Sequence, residues 1–175
     1  MKNFITLFMI CMVILACKKE GYNPDYSNGR FYGLKNGKSW EAEAFASSAM
    51  DNRISIIVSR KNSQGFEREG LSIGLIPLKM DEYRLHDHTR VIFGDSLIRA
   101  FYATTQDDGD VLEDAYRIIE SEPTQAVRIT KISNDKKWLE GELVCSFILI
   151  PPKINILNPD TVRFENCRFK IKRVN

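Results

Sequence analysis

The sequence predicts an all-β protein, an antiparallel β-sandwich or flattened barrel of about ten strands joined mostly as hairpins. Three observations carry this reading. Apolar residues alternate with polar ones in short runs, turn residues interrupt those runs at short intervals, and no stretch keeps a helical period for more than a turn or two.

The strands follow in order. Residues 30–34 and 39–46 flank Lys35-Asn36-Gly37-Lys38, whose Asn-Gly pair suits a tight hairpin turn. Residues 53–60 place Ile54, Ile56 and Val58 on one face and Ser55 and Ser59 on the other. A turn at 62–65 leads to the strand at 70–76, and a short strand is expected at 82–86. Residues 86–94 fit a loop or a strand equally. Strands at 97–105 and 111–119 enclose Asp107-Asp108-Gly109-Asp110, and strands at 126–133 and 138–150 enclose a turn at 134–137. Pro151 and Pro152 end the ninth strand, since proline cannot donate to a ladder, and 161–174 is the last. Strands in this number must stack or close on themselves to bury their apolar faces.

The loop between the last two strands is unusually apolar, with Ile154, Ile156 and Leu157 around Asn155. It fits a flap over the open end of the core, or a contact surface of the kind that contiguous exposed apolar residues mark.

The N-terminus has a different character. Lys2 precedes an apolar run at 4–16, shorter than the ~20 residues of a spanning helix and suited to the core of an export signal. Ile14-Leu15-Ala16-Cys17 resembles the lipobox of bacterial lipoproteins, in which the cysteine is acylated and becomes the first mature residue. The resemblance implies a lipoprotein signal peptide at 1–16, a lipidated Cys17 that binds the lipid bilayer, a flexible spacer at 17–29 and a single β-domain at 30–175. Several acyl chains hold firmly, because each buried CH₂ contributes about 0.8 kcal/mol. The polar KKEGYNPDYSNGR that follows Cys17 has neither strand nor helix period, as a spacer requires.

Cleavage at that point removes 16 of 175 residues and leaves 159, enough for one domain with a real core. The removed segment carries one basic and no acidic residue, so the formal charge falls from +2 to +1. Such a balance argues against nucleic acid as a partner, which needs a basic stripe. Cys11 leaves with the signal, so Cys145 and Cys167 remain as a pair in an oxidising compartment. Cys145 shares its strand face with Leu143, Phe147 and Leu149, and Cys167 with Phe169 and Ile171. In a symmetric hairpin the two face each other, as a disulfide or as two free buried thiols.

The lipobox, the CKKE start, NGKSW in the first long hairpin and ITKISNDKKWLEGEL before the last strands together resemble small β-rich lipoproteins of unknown function from Bacteroidota. The resemblance spans nearly the whole chain. It implies a sandwich or lipocalin-like architecture, with Trp40 and Trp138 as core or rim aromatics and Gly141 at a close strand approach. It supplies no catalytic residue. It also implies possible O-glycosylation sites at Ser96 in Asp95-Ser96-Leu97 and Thr161 in Asp160-Thr161-Val162.

Chemistry-bearing constellations are sparse. His86 and His88 are the only histidines; on one strand face they offer two ligands where zinc needs three or four. The acidic run at 107–110, with Glu113 and Asp114, lacks the spacing of a calcium-binding EF-hand and reads as a turn. No nucleophile elbow or phosphate-binding glycine loop is present. Tyr22, Tyr26, Phe31 and Tyr32 could stack on a sugar, or pack along a strand edge. The expectation is a non-enzymatic envelope lipoprotein with no cofactor and no metal, anchored to a bacterial membrane, most simply the outer one. It would bind an unidentified glycan, peptide or protein; the alternative is an accessory subunit packed against an envelope complex.

Overall fold

The computed structural model describes residues 22–49, 52–89 and 96–174. The expected signal, Cys17, Asp95 and most of the ambiguous 86–94 segment lie outside the described residues. Ten strands are present: β1 (Gly29–Lys35), β2 (Lys38–Ala49), β3 (Arg53–Lys61), β4 (Glu67–Pro77), β5 (Glu82–Asp87), β6 (Ile98–Thr105), β7 (Leu112–Ile118), β8 (Ala126–Ile132), β9 (Trp138–Leu149) and β10 (Thr161–Val174). Each matches a strand expected from alternation, with ends shifted by a few residues.

All ten strands belong to one sheet whose ladders return on themselves. At the upper level an antiparallel circuit runs β1–β2–β3–β4–β6–β7–β9–β10 and back to β1. At the lower level two substitutions occur. β5 and β8 take the place of β7, with β5 parallel to β6 and antiparallel to β8, and β8 antiparallel to β9. Arg173 and Val174 of β10 pair directly with Ala46 and Ser47 of β2 where β1 has not yet begun. Each level therefore has eight strands, a number that leaves an interior just wide enough for side chains to fill.

The interior is filled. Trp40 of β2, Tyr102 of β6, Phe147 of β9 and Phe164 of β10 meet across the ring, with the Tyr102 and Phe164 centroids 5.4 Å apart and those of Trp40 and Phe164 5.1 Å apart. Ile54, Ile56, Ile73, Leu85, Leu139 and Ile171 are fully buried around them. Each such side chain contributes about 1.5–3 kcal/mol. Small residues sit where strands crowd: a Cβ on Gly141 would lie 2.3 Å from both the Arg128 carbonyl and the Phe169 ring, the close approach expected there.

Among the register shifts of the ladders, two fall at a residue of positive φ and reset the inward phase. In β4 the inward residues run Leu71, Ile73, then Ile76, and Leu75 between them has a positive φ of 64°. In β10 they run Val162, Phe164, then Cys167, with Asn166 at φ 51°. The second bulge changes the cysteine geometry. Cys145 pairs with Phe164 and Cys167 with Leu143, so the two do not face each other as a symmetric hairpin would place them. Both are free, buried thiols in this structure. Burial pushes the Cys145 thiol well up and Cys167 to about 11, so neither is a thiolate at neutral pH.

The expected spacer is docked from Tyr22 onward. The Tyr22 N–H donates to the Ser63 carbonyl (2.7 Å), its ring lies under Lys61 Nζ (5.2 Å), and the Asp25 N–H donates to Glu43 Oε1 (2.8 Å). Asp25 then caps a 3₁₀ turn at Tyr26–Asn28 by accepting from the Ser27 N–H. Phe31 is wholly buried, and Arg30 lies over the rings of both Tyr26 and Tyr32, so these aromatics pack along the strand edge and do not form one open platform.

Candidate functional site at the upper end of the ring

The upper end gathers the β1–β2 turn, the β3–β4 turn, the β6–β7 turn and the long β9–β10 loop. Its inner floor is polar. Glu69, just inside β4, shares the inward phase of Leu71 and Ile73, and its side chain is 13 % exposed. Its Oε2 accepts from Lys35 Nζ (2.5 Å), Tyr102 Oη (2.8 Å) and Trp40 Nε1 (2.9 Å), while Oε1 accepts from Arg60 (3.0 Å). Burial pushes the Glu69 carboxyl up, but Lys35, Tyr102 and Arg60 outweigh it and hold the group below its ordinary value. Burial, followed by the Glu69 charge, raises Tyr102. With donors on both oxygens, Glu69 ties four other strands to β4 and presents no free base.

Above this floor is a cavity of about 100 Å³ between Lys35, Arg68, Thr104, Glu113, Tyr116 and Asn158. That is well under the roughly 300 Å³ at which small-molecule sites begin.

The β9–β10 loop roofs the cavity, and a second inward acid holds it. Asp114 is 1 % exposed and in phase with Tyr116 and Ile118 on β7. Its carboxylate accepts from the N–H groups of Ile154 (2.7 Å) and Asn155 (3.4 Å) and from Asn158 Nδ2 (2.7 Å). Asn155 and Asn158 also donate to Glu113, and Tyr116 Oη donates to the Pro159 carbonyl. Burial, then Asp114 and Asp160, pushes Tyr116 up to about 12, so it remains a donor. The loop is thus the flap expected over the open end of the core.

It is also an exposed apolar surface. With its backbone turned inward to Asp114, the loop leaves Ile154 59 %, Ile156 85 % and Leu157 87 % exposed. The neighbouring turns add exposed Val111, Leu112 and Phe66. These segments are joined: Asn62 Nδ2 donates to the Asp107 carbonyl (2.8 Å), and Gly109 packs on Phe66. The loop thus turns polar backbone inward and apolar side chains outward.

The histidine segment lies in the wall of the ring, where β5 ends beside β7, and does not join this site. Asp87 points inward, 2 % exposed, and accepts from Arg117 Nη1 (3.2 Å) and the Thr89 N–H (2.9 Å). Burial raises its carboxyl, but those donors prevail and keep it below the usual carboxylate range. His86 Nδ1 lies 3.7 Å from Glu120, and His88 stands edge-on to Phe101 beyond the end of β5, with burial lowering its pKa against the pull of Asp87. Among the described residues no group of three or more His, Cys, Asp or Glu side chains is arranged to hold a metal ion. The acidic run closes a tight turn, with Gly109 at φ 79° and its N–H donating to the Gln106 carbonyl. Ser96 is exposed and Thr161 half-buried at the start of β10.

A further hollow of about 390 Å³ opens on the outer face beside the β10 bulge, between Tyr32, Glu142, Val144 and Arg168. Sequence reasoning singled out Ile154, Ile156 and Leu157 but not Glu69 or Asp87, and it took Asp114 only as part of the acidic run and not as the residue that holds the loop. The available signal was their phase, since each acid falls on the apolar parity of its own strand. No known protein family, curated protein or solved structure matches the chain.

Proposed function

We propose that the chain is a non-catalytic binding protein of the bacterial cell envelope, anchored through acylated Cys17 and working through the apolar rim of its upper end. The observation that carries the rim is Asp114 holding the β9–β10 loop in one conformation, which presents Ile156 and Leu157 with their ordering cost already met by the fold. The lipobox at 14–17 carries the anchor, and with CKKE and NGKSW it supports kinship with the β-rich Bacteroidota lipoproteins. A filled interior and a cavity of about 100 Å³ favour a surface contact over an enclosed small ligand. The Tyr32 hollow favours a second reading, a peptide or glycan partner on the outer face.

Mass spectrometry of the natively expressed protein tests the anchor. The expected N-terminal peptide begins at Cys17 and carries the added mass of acyl chains and glycerol. An unmodified Cys17, or a mature chain that starts elsewhere, overturns it. Protease shaving of intact and permeabilised cells then assigns the membrane face.

A further inference from the structure

We infer that the upper rim seats on the surface of the bilayer that holds the anchor, with Ile154, Ile156 and Leu157 dipping into the interface. The seating rests on the lipid anchoring proposed above and adds the orientation of the domain. Two independent features meet at one end of the ring.

The first is the rim itself. Phe66, Val111, Leu112, Ile154, Ile156 and Leu157 are all exposed and sit on three adjoining segments at the upper end. Exposed apolar side chains concentrated on one end of a domain fit the boundary between headgroups and acyl chains. The second is the place where the anchor reaches the domain. Tyr22 is fixed to the β3–β4 turn at that same end through Ser63 and Gly65. Cys17 is five residues earlier, so the connecting chain spans at most about 18 Å. A lipid attached at Cys17 therefore keeps the β3–β4 turn close to the membrane, and that turn bears Phe66 and adjoins the rest of the rim.

Charges on this end are mixed. Lys153 pairs with Asp160 and Arg68 with Asp107, while Lys38, Asp108 and Asp110 are exposed on the neighbouring turns. Apolar insertion, not attraction to anionic lipid, is then the driving contact, and the long Lys153 stem can keep its ammonium at headgroup level while neighbouring side chains go deeper.

The test uses the full lipidated protein in phosphatidylcholine vesicles whose acyl chains are brominated, with Ile156→Trp as the rim reporter and Lys137→Trp as the lower-end reporter. Signal from native Trp40 and Trp138 is subtracted. The expected result is a blue shift and loss of most of the added emission for Ile156→Trp, with Lys137→Trp unchanged. An Ile156→Trp reporter that stays water-exposed and unquenched on vesicle-bound, lipidated protein overturns the seating and gives the rim to a protein partner. An unquenched reporter that is already blue-shifted without vesicles overturns it in favour of a second copy of the chain. The N-terminal peptide mass keeps the two readings apart: quenching with an unlipidated N-terminus removes the anchor and leaves the seating, and absent quenching with a lipidated one removes the seating alone.

Discussion

Glu69 shows how one residue holds the upper end. A carboxylate so placed stabilises the fold only because four donors face it, two of them cationic. Its folded pKa lies below the ordinary value of 4.5, so the ionised form stabilises the native state fully above that pH. The contribution fades as pH falls through the lower folded value. Glu69→Gln keeps the shape and removes the charge, leaving Lys35 and Arg60 uncompensated. It should lower stability by about 2–4 kcal/mol near neutral pH and flatten part of the acid limb of the stability curve. Urea denaturation between about pH 3 and pH 8 reads both. Equal acid limbs in variant and native protein would remove Glu69 from this role. None of its partners is a sequence neighbour: Lys35, Trp40, Arg60 and Tyr102 come from four other strands. The acid in inward phase was legible in the sequence; the company it keeps was not.

At the scale of elements, alternation located all ten strands because half of each strand faces a filled interior. It did not locate the bulges, where one extra residue resets the phase: at Leu75 the adjoining Gly74 and nearby Pro77 were a signal left unread, whereas at Asn166 no glycine or proline announces it. That reset is why Cys145 and Cys167 miss each other. The docking of Tyr22 was equally hidden, since its contacts are made by a turn some forty residues away in sequence. The β9–β10 loop is the element on which function turns, and Asp114 decides its conformation. Asp114→Ala removes the acceptor for two loop amides and for Asn158. Stability should fall by about 1.5–3 kcal/mol, the range for hydrogen bonds to a charged group. Cleavage within 151–160 should also accelerate under limited proteolysis while the rest of the domain resists. A variant cut at the native rate would show that the remaining contacts, Glu113 with Asn155 and Tyr116 with Pro159, fix the loop unaided.

For the whole molecule, the governing fact is that the ring closes through its last strand. β10 lies between β1 and β9 along most of its length and reaches β2 at its end, so three strands lose a partner if it is absent. Phe164, Phe169 and Ile171 leave the core with it, and Trp40 and Phe31 lose the rings they pack against. Pairing the first strand with the last also makes the contacts long-range in sequence, which places folding among the slower single domains, on the order of milliseconds to seconds. A chain shortened after Asp160 should therefore fail as a unit. It should not simply unzip an edge, because the remaining sheet would have two open edges and an interior exposed between them. The expected result is loss of the cooperative thermal transition and of the near-ultraviolet signal of the buried aromatics, measured by circular dichroism against the full chain. A shortened chain that still melts cooperatively would mean that β1–β9 form a self-sufficient sheet, and that β10 serves to close the mouth that the β9–β10 loop roofs.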